Sequence, residues 1–344
     1  MSLVVVPLQP HTGREAPVRR ERKRMIDGSS RGVPTARKAA PLVAGILALA
    51  LLCGAWLVYA MSATGSHLVL HPHVRYGEAA FIAGASEGLG AAWADYLAAL
   101  GFNLVIVARH ADTLHRFADS VRARHNVSVD AFTLDLADEA AAMLAARLFR
   151  ERADIGLVVY NAAYTGADAG YFALDSLAAA NTAIDVNVRG VLSIVHPFLQ
   201  CKQERGETGG VVLMSSMAGV VGSAHITTYA ATKAWNTAFA TGLYEELRPM
   251  GIDVLACLAG ATTTPNYLER ANPTRSRWIE QRPADVVREC ASALGRVPTR
   301  ATGAVNRIGE LLLGRLLPTG LAVRMMSDGT RGTTAFARVD ASAN

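Results

Sequence analysis

Between residues 77 and 305, short apolar runs alternate with longer stretches of helical spacing. Ala79–Ala83, Leu104–Val107, Val127–Leu134, Gly156–Tyr160, Val211–Met214 and Val254–Leu258 each read as a strand. Gly88–Leu100, Ala111–Arg124, Glu139–Arg150 and Thr228–Leu247 read as helices between them. The strands are apolar at consecutive positions, the pattern of strands covered on both faces. Such alternation predicts an α/β fold: a single doubly wound parallel sheet with helices on both faces.

Residues 1–40 show neither period and read as a basic, disordered tail. Leu42–Met61 holds twenty residues without a charge, with Trp56 and Tyr59 near one end. As a helix this run spans about 30 Å, the thickness of a bilayer's hydrocarbon core. It is longer than a signal-peptide core and has no polar face for a buried helix. The expectation is a transmembrane anchor at 41–61, a linker at 62–76, a catalytic domain at 77–305 and an amphipathic C-terminal segment with its tail at 306–344.

Charge sharpens that layout. The net charge is +5, but residues 1–40 alone carry nine Lys/Arg against three Asp/Glu, so the rest is nearly neutral. A basic tail beside an apolar run points to membrane topology, with the N-terminus on the cytoplasmic side, and not to a nucleic-acid partner. The expected location is a single-pass membrane protein, with the side of the catalytic domain left open. An apolar fraction of 51% excludes a disordered chain. Cys53, Cys201, Cys257 and Cys290 stand far apart with no Cys-x-x-Cys pair, so neither a disulfide scaffold nor a cysteine-zinc site is expected. His71 and His73 read as linker residues, and no metal site is expected.

Candidate chemistry begins after the first strand, where FIAGASEGLG places Gly84, Gly88 and Gly90 in a strand-to-helix turn. Glycines let the backbone approach a pyrophosphate, and the helix N-terminus offers free N–H groups and a positive dipole end. At the end of the second strand a dinucleotide site for NAD usually carries an acid that bonds the ribose 2′-OH. Here that position is Arg109, whose planar fork suits a 2′-phosphate. NADP is therefore expected over NAD. Ser86 can add a hydroxyl to the same phosphate, and Asp135 is placed to meet the adenine amine.

In YAATKAW, Tyr229 and Lys233 stand four residues apart and share a helix face. Ser216 lies thirteen residues upstream at a strand end, in VVLMSSMAG. Hydride transfer to a carbonyl builds negative charge on oxygen. A tyrosine hydroxyl can donate the proton, a nearby ammonium favours its phenolate, and a serine can hold the oxygen.

These motifs resemble the short-chain dehydrogenase/reductase family over about residues 77–305. AGASEGLG looks like its nucleotide loop, VYNAAY like its Asn-Asn-Ala-Gly strand with Asn161 retained, and MSSMAG and YAATK like its catalytic segments. DVNVRG supplies Asn187, which the resemblance assigns to a water relay toward Lys233. LAGATTT supplies Thr264, at the position that meets the nicotinamide amide or pyrophosphate. The chain departs from the pattern at Ala83, Tyr160, Ala163 and Ala259. The resemblance implies a Rossmann-type sheet and a catalytic set of Asn187, Ser216, Tyr229 and Lys233.

The C-terminal run from Asn306 is similar to the membrane-bound branch with very-long-chain 3-oxoacyl-CoA reductases and hydroxysteroid dehydrogenases. Residues 309–326 are broken by Arg315, Pro318 and Arg324, so they either lie on a bilayer or pack on the domain or a second subunit. The resulting expectation is an NADPH-dependent reductase of a lipophilic ketone or aldehyde, with a lid at Thr262–Trp278, a lipid bilayer partner and a homodimer or homotetramer. The tail rule puts the catalytic domain opposite the cytoplasm, and the cytosolic supply of NADPH argues for the other side. The same residues would serve an oxidative alcohol dehydrogenase, and a catalytically silent NADP-binding scaffold is the alternative of a different class.

Overall fold

A computed structural model of the chain describes residues 75–166, 172–174, 176–270 and 279–330, with Ala50, Leu51 and Gly54 upstream. The strands are β1 (Ala79–Ala83), β2 (Asn103–Ala108), β3 (Val129–Thr133), β4 (Ile155–Tyr160), β5 (Gly209–Ser216), β6 (Ile252–Ala259) and β7 (Thr299–Ala301). All pair in parallel in the order β3-β2-β1-β4-β5-β6-β7. Helices α1 (Gly88–Ala99), α2 (Ala111–His125), α3 (Glu139–Glu151), α4 (Leu177–Ile184), α5 (Gly190–Arg205), α6 (Thr227–Leu247), α7 (Pro265–Arg270) and α8 (Pro283–Ala293) connect them. After β7 come α9 (Ala304–Leu311), a π turn (Leu312–Leu316) and α10 (Thr319–Thr330).

Neighbouring residues of a strand point to opposite faces, and the apolar runs fill both. Phe81, Val105 and Val158 pack with Phe149, Ile194 and Phe198 under α3, α5 and α6. Ile82, Ile106 and Leu255 pack with Trp93, Leu114 and Val287 under α1, α2 and α8. Phe149 meets Phe81 and Phe198 edge-on, each at 5.3 Å between ring centres. Burying each such ring is worth about 1.5–3 kcal/mol, so these layers outweigh any surface ion pair here, at about 0–1 kcal/mol.

The chain turns one way from β1 to β2 and the other way to β4. The loops after β1 and β4 therefore diverge and leave a crevice at the carboxyl ends of the strands. Among the sequence expectations, the sheet and its four long helices stand with boundaries moved by one or two residues. The structure adds α4, α5, α8 and β7. A π turn at Asp185–Arg189 joins α4 to α5.

Two expectations change. Arg75 and Tyr76, placed in the linker, belong to the folded body. Arg75 donates to both carboxylate oxygens of Asp253 at 2.5 and 2.7 Å, and the Tyr76 hydroxyl donates to the same group at 2.8 Å. Cys257 of β6 and Cys290 of α8, distant in sequence, form a disulfide with Cα atoms 5.8 Å apart. The apolar run at 42–61 and the His71–His73 pair lie almost wholly outside the described residues. No helix among the described residues is long and apolar enough to cross a membrane.

Candidate active site

The crevice holds a cavity of about 260 Å³, lined among others by Gly84, Ser86, Gly88, Arg109, Asp135, Asn161 and Thr264. Seven of the expected cofactor residues thus converge, from the ends of β1, β2, β4 and β6 and the turn after β3. Gly90 lies just beneath. A side chain there would put Cβ 1.9 Å from the Gly84 carbonyl oxygen, so only glycine lets α1 start this close to the β1 turn. Gly84 itself has φ +78°, and the Asn161 amide donates to its carbonyl at 2.9 Å, tying β4 to the turn. The α1 N-terminus, where Glu87, Gly88 and Leu89 line the cavity, carries no side-chain cap. Arg109 is exposed at the rim and has no ion-pair partner among the described residues. A glycine cradle, an uncapped helix N-terminus and a free cation are what a dinucleotide with a phosphorylated ribose requires.

His110, Leu136, Tyr164 and Asn266 also line the cavity and were not singled out from the sequence. Each stands within two residues of a strand end or a motif residue, and that position was the available signal.

Ser216, at the end of β5, and Tyr229 and Lys233, in the first turns of α6, come together beside the crevice. Ser216 starts a tight turn whose Ala218 N–H donates to the Ser216 hydroxyl at 3.2 Å. Burial raises the Tyr229 phenol above its usual value, and its hydrogen bond with Ser216 pulls it partly back. Lys233 is 3% exposed. Its ammonium lies 5.7 Å from the Tyr229 ring centre and donates to the Met214 carbonyl at 2.6 Å. Burial brings its pKa down to about 8. Burial and the Ser216 hydrogen bond thus act on the phenol in opposite directions, burial being the larger.

Asn187 has protein partners on both sides. It sits in the π turn, fully buried, and accepts the Tyr164 N–H at 2.7 Å while donating to the Tyr164 carbonyl at 2.9 Å. It also donates to the Thr232 hydroxyl at 3.0 Å, and Thr232 donates to the Tyr229 carbonyl. Its amide thus clamps the loop after β4 to the helix carrying Tyr229. Tyr160, the departure at the first position of the strand motif, donates to the Val186 carbonyl of the same turn at 2.6 Å.

Residues 78–274 match the short chain dehydrogenase family. The human "inactive hydroxysteroid dehydrogenase-like protein 1" is 26% identical over 72% of this chain and 75% of its own length. A very-long-chain 3-oxoacyl-CoA reductase of Laccaria bicolor is 30% identical over 52% of this chain, which spans about half (53%) of that protein. A short-chain dehydrogenase from Sphingobium yanoikuyae, solved in complex with NADPH, superposes with a TM-score of 0.59 at 26% identity, over 74% of this chain and 93% of that one. With a family match across more than half its length, and a parallel sheet that gathers the serine, tyrosine and lysine at the end of β5 and the start of α6, the chain belongs to the short-chain dehydrogenase/reductase family of oxidoreductases.

Proposed function

We propose that the protein reduces a lipophilic ketone or aldehyde to an alcohol with NADPH. The observation that carries this reading is the cluster of Ser216, Tyr229 and Lys233, with Arg109 exposed on the rim of the neighbouring cavity. A protonated phenol can donate to a carbonyl oxygen, and the same residues would serve alcohol oxidation in reverse. When bound, the nicotinamide supplies a hydride to the carbonyl carbon. Tyr229 gives its proton to the carbonyl oxygen, and the Ser216 hydroxyl donates a hydrogen bond to that oxygen as charge builds on it. Lys233, held by the Met214 carbonyl, faces the phenolate that remains and stabilises it. Asn187 fixes the loop that walls the crevice. Arg109 and Ser86 would hold the 2′-phosphate, the α1 N-terminus and Thr264 the pyrophosphate and amide, and Asp135 the adenine edge. Residues 41–61 would anchor the chain in a bilayer.

The test is NADPH oxidation with a panel of apolar ketones, for the wild type and Tyr229→Phe. A loss of at least about a hundredfold in kcat is expected, the contribution of a positioned general acid. Equal rates in the two proteins would remove Tyr229 from the chemistry. NADPH binding without turnover of any ketone would favour the silent scaffold.

A further inference from the structure

Among the described residues, large apolar side chains crowd the surface of one segment. Val305, Ile308, Leu312, Leu316, Leu321 and Met325 are 38–63% exposed within Ala304–Thr330. The first four are spaced three, four and four residues apart, so they form one stripe along α9 and the π turn. The opposite face is docked. A Cβ at Gly314 would lie 3.0 Å from Val220. Ser327 accepts the Ala224 N–H at 2.9 Å, the Thr330 and Ser223 hydroxyls are 3.0 Å apart, and Ala322 is fully buried. The segment therefore grips the loop that follows Ser216 and turns its apolar stripe outward. This resolves the two readings of the sequence: packing on the domain accounts for one face and leaves the other uncovered.

The charges beside the stripe select its occupant. Arg315 and Arg324 are exposed beside the stripe, Glu310 is half-buried, and Asp328 is exposed near the end of α10, beyond Met325. A second copy seated by two-fold symmetry would gather both copies' arginines into one interface. An anionic bilayer surface instead accepts the apolar side chains and neutralises the cations. We propose that Ala304–Thr330 is a lipid-docking surface which seats the catalytic unit on an anionic bilayer, with the Ser216 loop held on its inner side. The inference rests on the geometry of α9 and α10, and its test needs no turnover, so it stands or falls separately from the catalytic reading.

The full chain carrying Cys53→Ser and Leu316→Cys is labelled with an environment-sensitive thiol probe. It is reconstituted into brominated phosphatidylcholine vesicles with or without phosphatidylserine. Met143→Cys in the same background is the control, since Met143 is 68% exposed on α3. The expected result is blue-shifted emission, quenched by the brominated chains, at position 316 and not at 143. Phosphatidylserine should deepen the quenching. Arg315→Glu with Arg324→Glu should abolish that dependence, and Leu312→Glu should weaken the quenching itself. Equal quenching at positions 316 and 143 would overturn the proposal. So would probe self-quenching that rises with the protein-to-lipid ratio without quenching by bromine, because it would assign the stripe to a second copy.

Discussion

At the scale of single residues, Lys233 gives the sharpest expectation. Its folded pKa of about 8 lies below the ordinary 10.5 because burial disfavours the ammonium. Reduction needs that cation opposite the phenolate, so kcat/KM for a ketone should be flat below about pH 8 and fall up to tenfold per unit above it. Stability moves the other way. Between about 8 and 10.5 the unfolded chain binds the extra proton, so this group's contribution to stability rises with pH. A pH–rate profile recorded beside thermal melts separates the two effects, and a profile still flat at pH 10 would exclude the ammonium from the mechanism. Arg109 carries the second expectation. Replacing it with Asp removes a charge-assisted bond to the 2′-phosphate and adds repulsion. The ratio of kcat/KM for NADPH over NADH should fall by about ten- to a hundredfold. An unchanged ratio would take Arg109 out of the site. Tyr229, Lys233, Ser216 and Arg109 were legible because spacing and strand ends alone position them. The partners of Asn187 were not legible, because they come from residues 164 and 232, which only folding brings near it.

At the scale of elements, the π turn between α4 and α5 shows why part of the chain was hard to read. One extra residue per turn slips the helical phase at 185–189, and Pro197 inside α5 looks like a helix breaker. No single period therefore runs through Leu177–Arg205. Strand β7 was hidden for another reason: Thr299, Arg300 and Ala301 have no strand-like pattern, and an edge position beside β6 alone makes them one. The π turn is itself pinned by Tyr160, and Gly190 makes room for that phenol. A Cβ at 190 would stand 2.3 Å from the Tyr160 hydroxyl and 2.8 Å from the Leu136 carbonyl oxygen. Gly190→Ala should cost about 1–3 kcal/mol through overpacking. Tyr160→Phe should cost about 0.5–1.5 kcal/mol by removing its hydrogen bond to the Val186 carbonyl. In the Tyr160→Phe background the alanine should cost at least about 0.5 kcal/mol less, because the nearer clash is gone. Urea denaturation of the four proteins measures this coupling, and strict additivity would show that the turn and the phenol are independent.

At the scale of the whole molecule, the disulfide ties the sheet to α8 and bears on the chain's surroundings. Cys257 and Cys290 close a loop with a sequence separation of 33, and that loop contains α7. The loop is closed a second time where the Thr263 N–H donates to the Gln281 carbonyl and the Gln281 N–H donates to the Ala261 carbonyl, both at 2.9 Å. Closing a loop of this length in the unfolded chain stabilises the fold by about 3–4 kcal/mol in the chain-entropy account. For a domain of this size that is roughly 10 °C in Tm. Both cysteines are fully buried, so a reductant reaches them only when the domain opens. A melt in reductant, cooled and repeated, should therefore show the lower Tm on the second heating. Structural disulfides persist in oxidising compartments. Protein quenched with acid in cells and alkylated after non-reducing denaturation should expose at most two of its four cysteines. Alkylation of all four would mean that the bond is not made in the cell, and that the catalytic unit faces a reducing compartment.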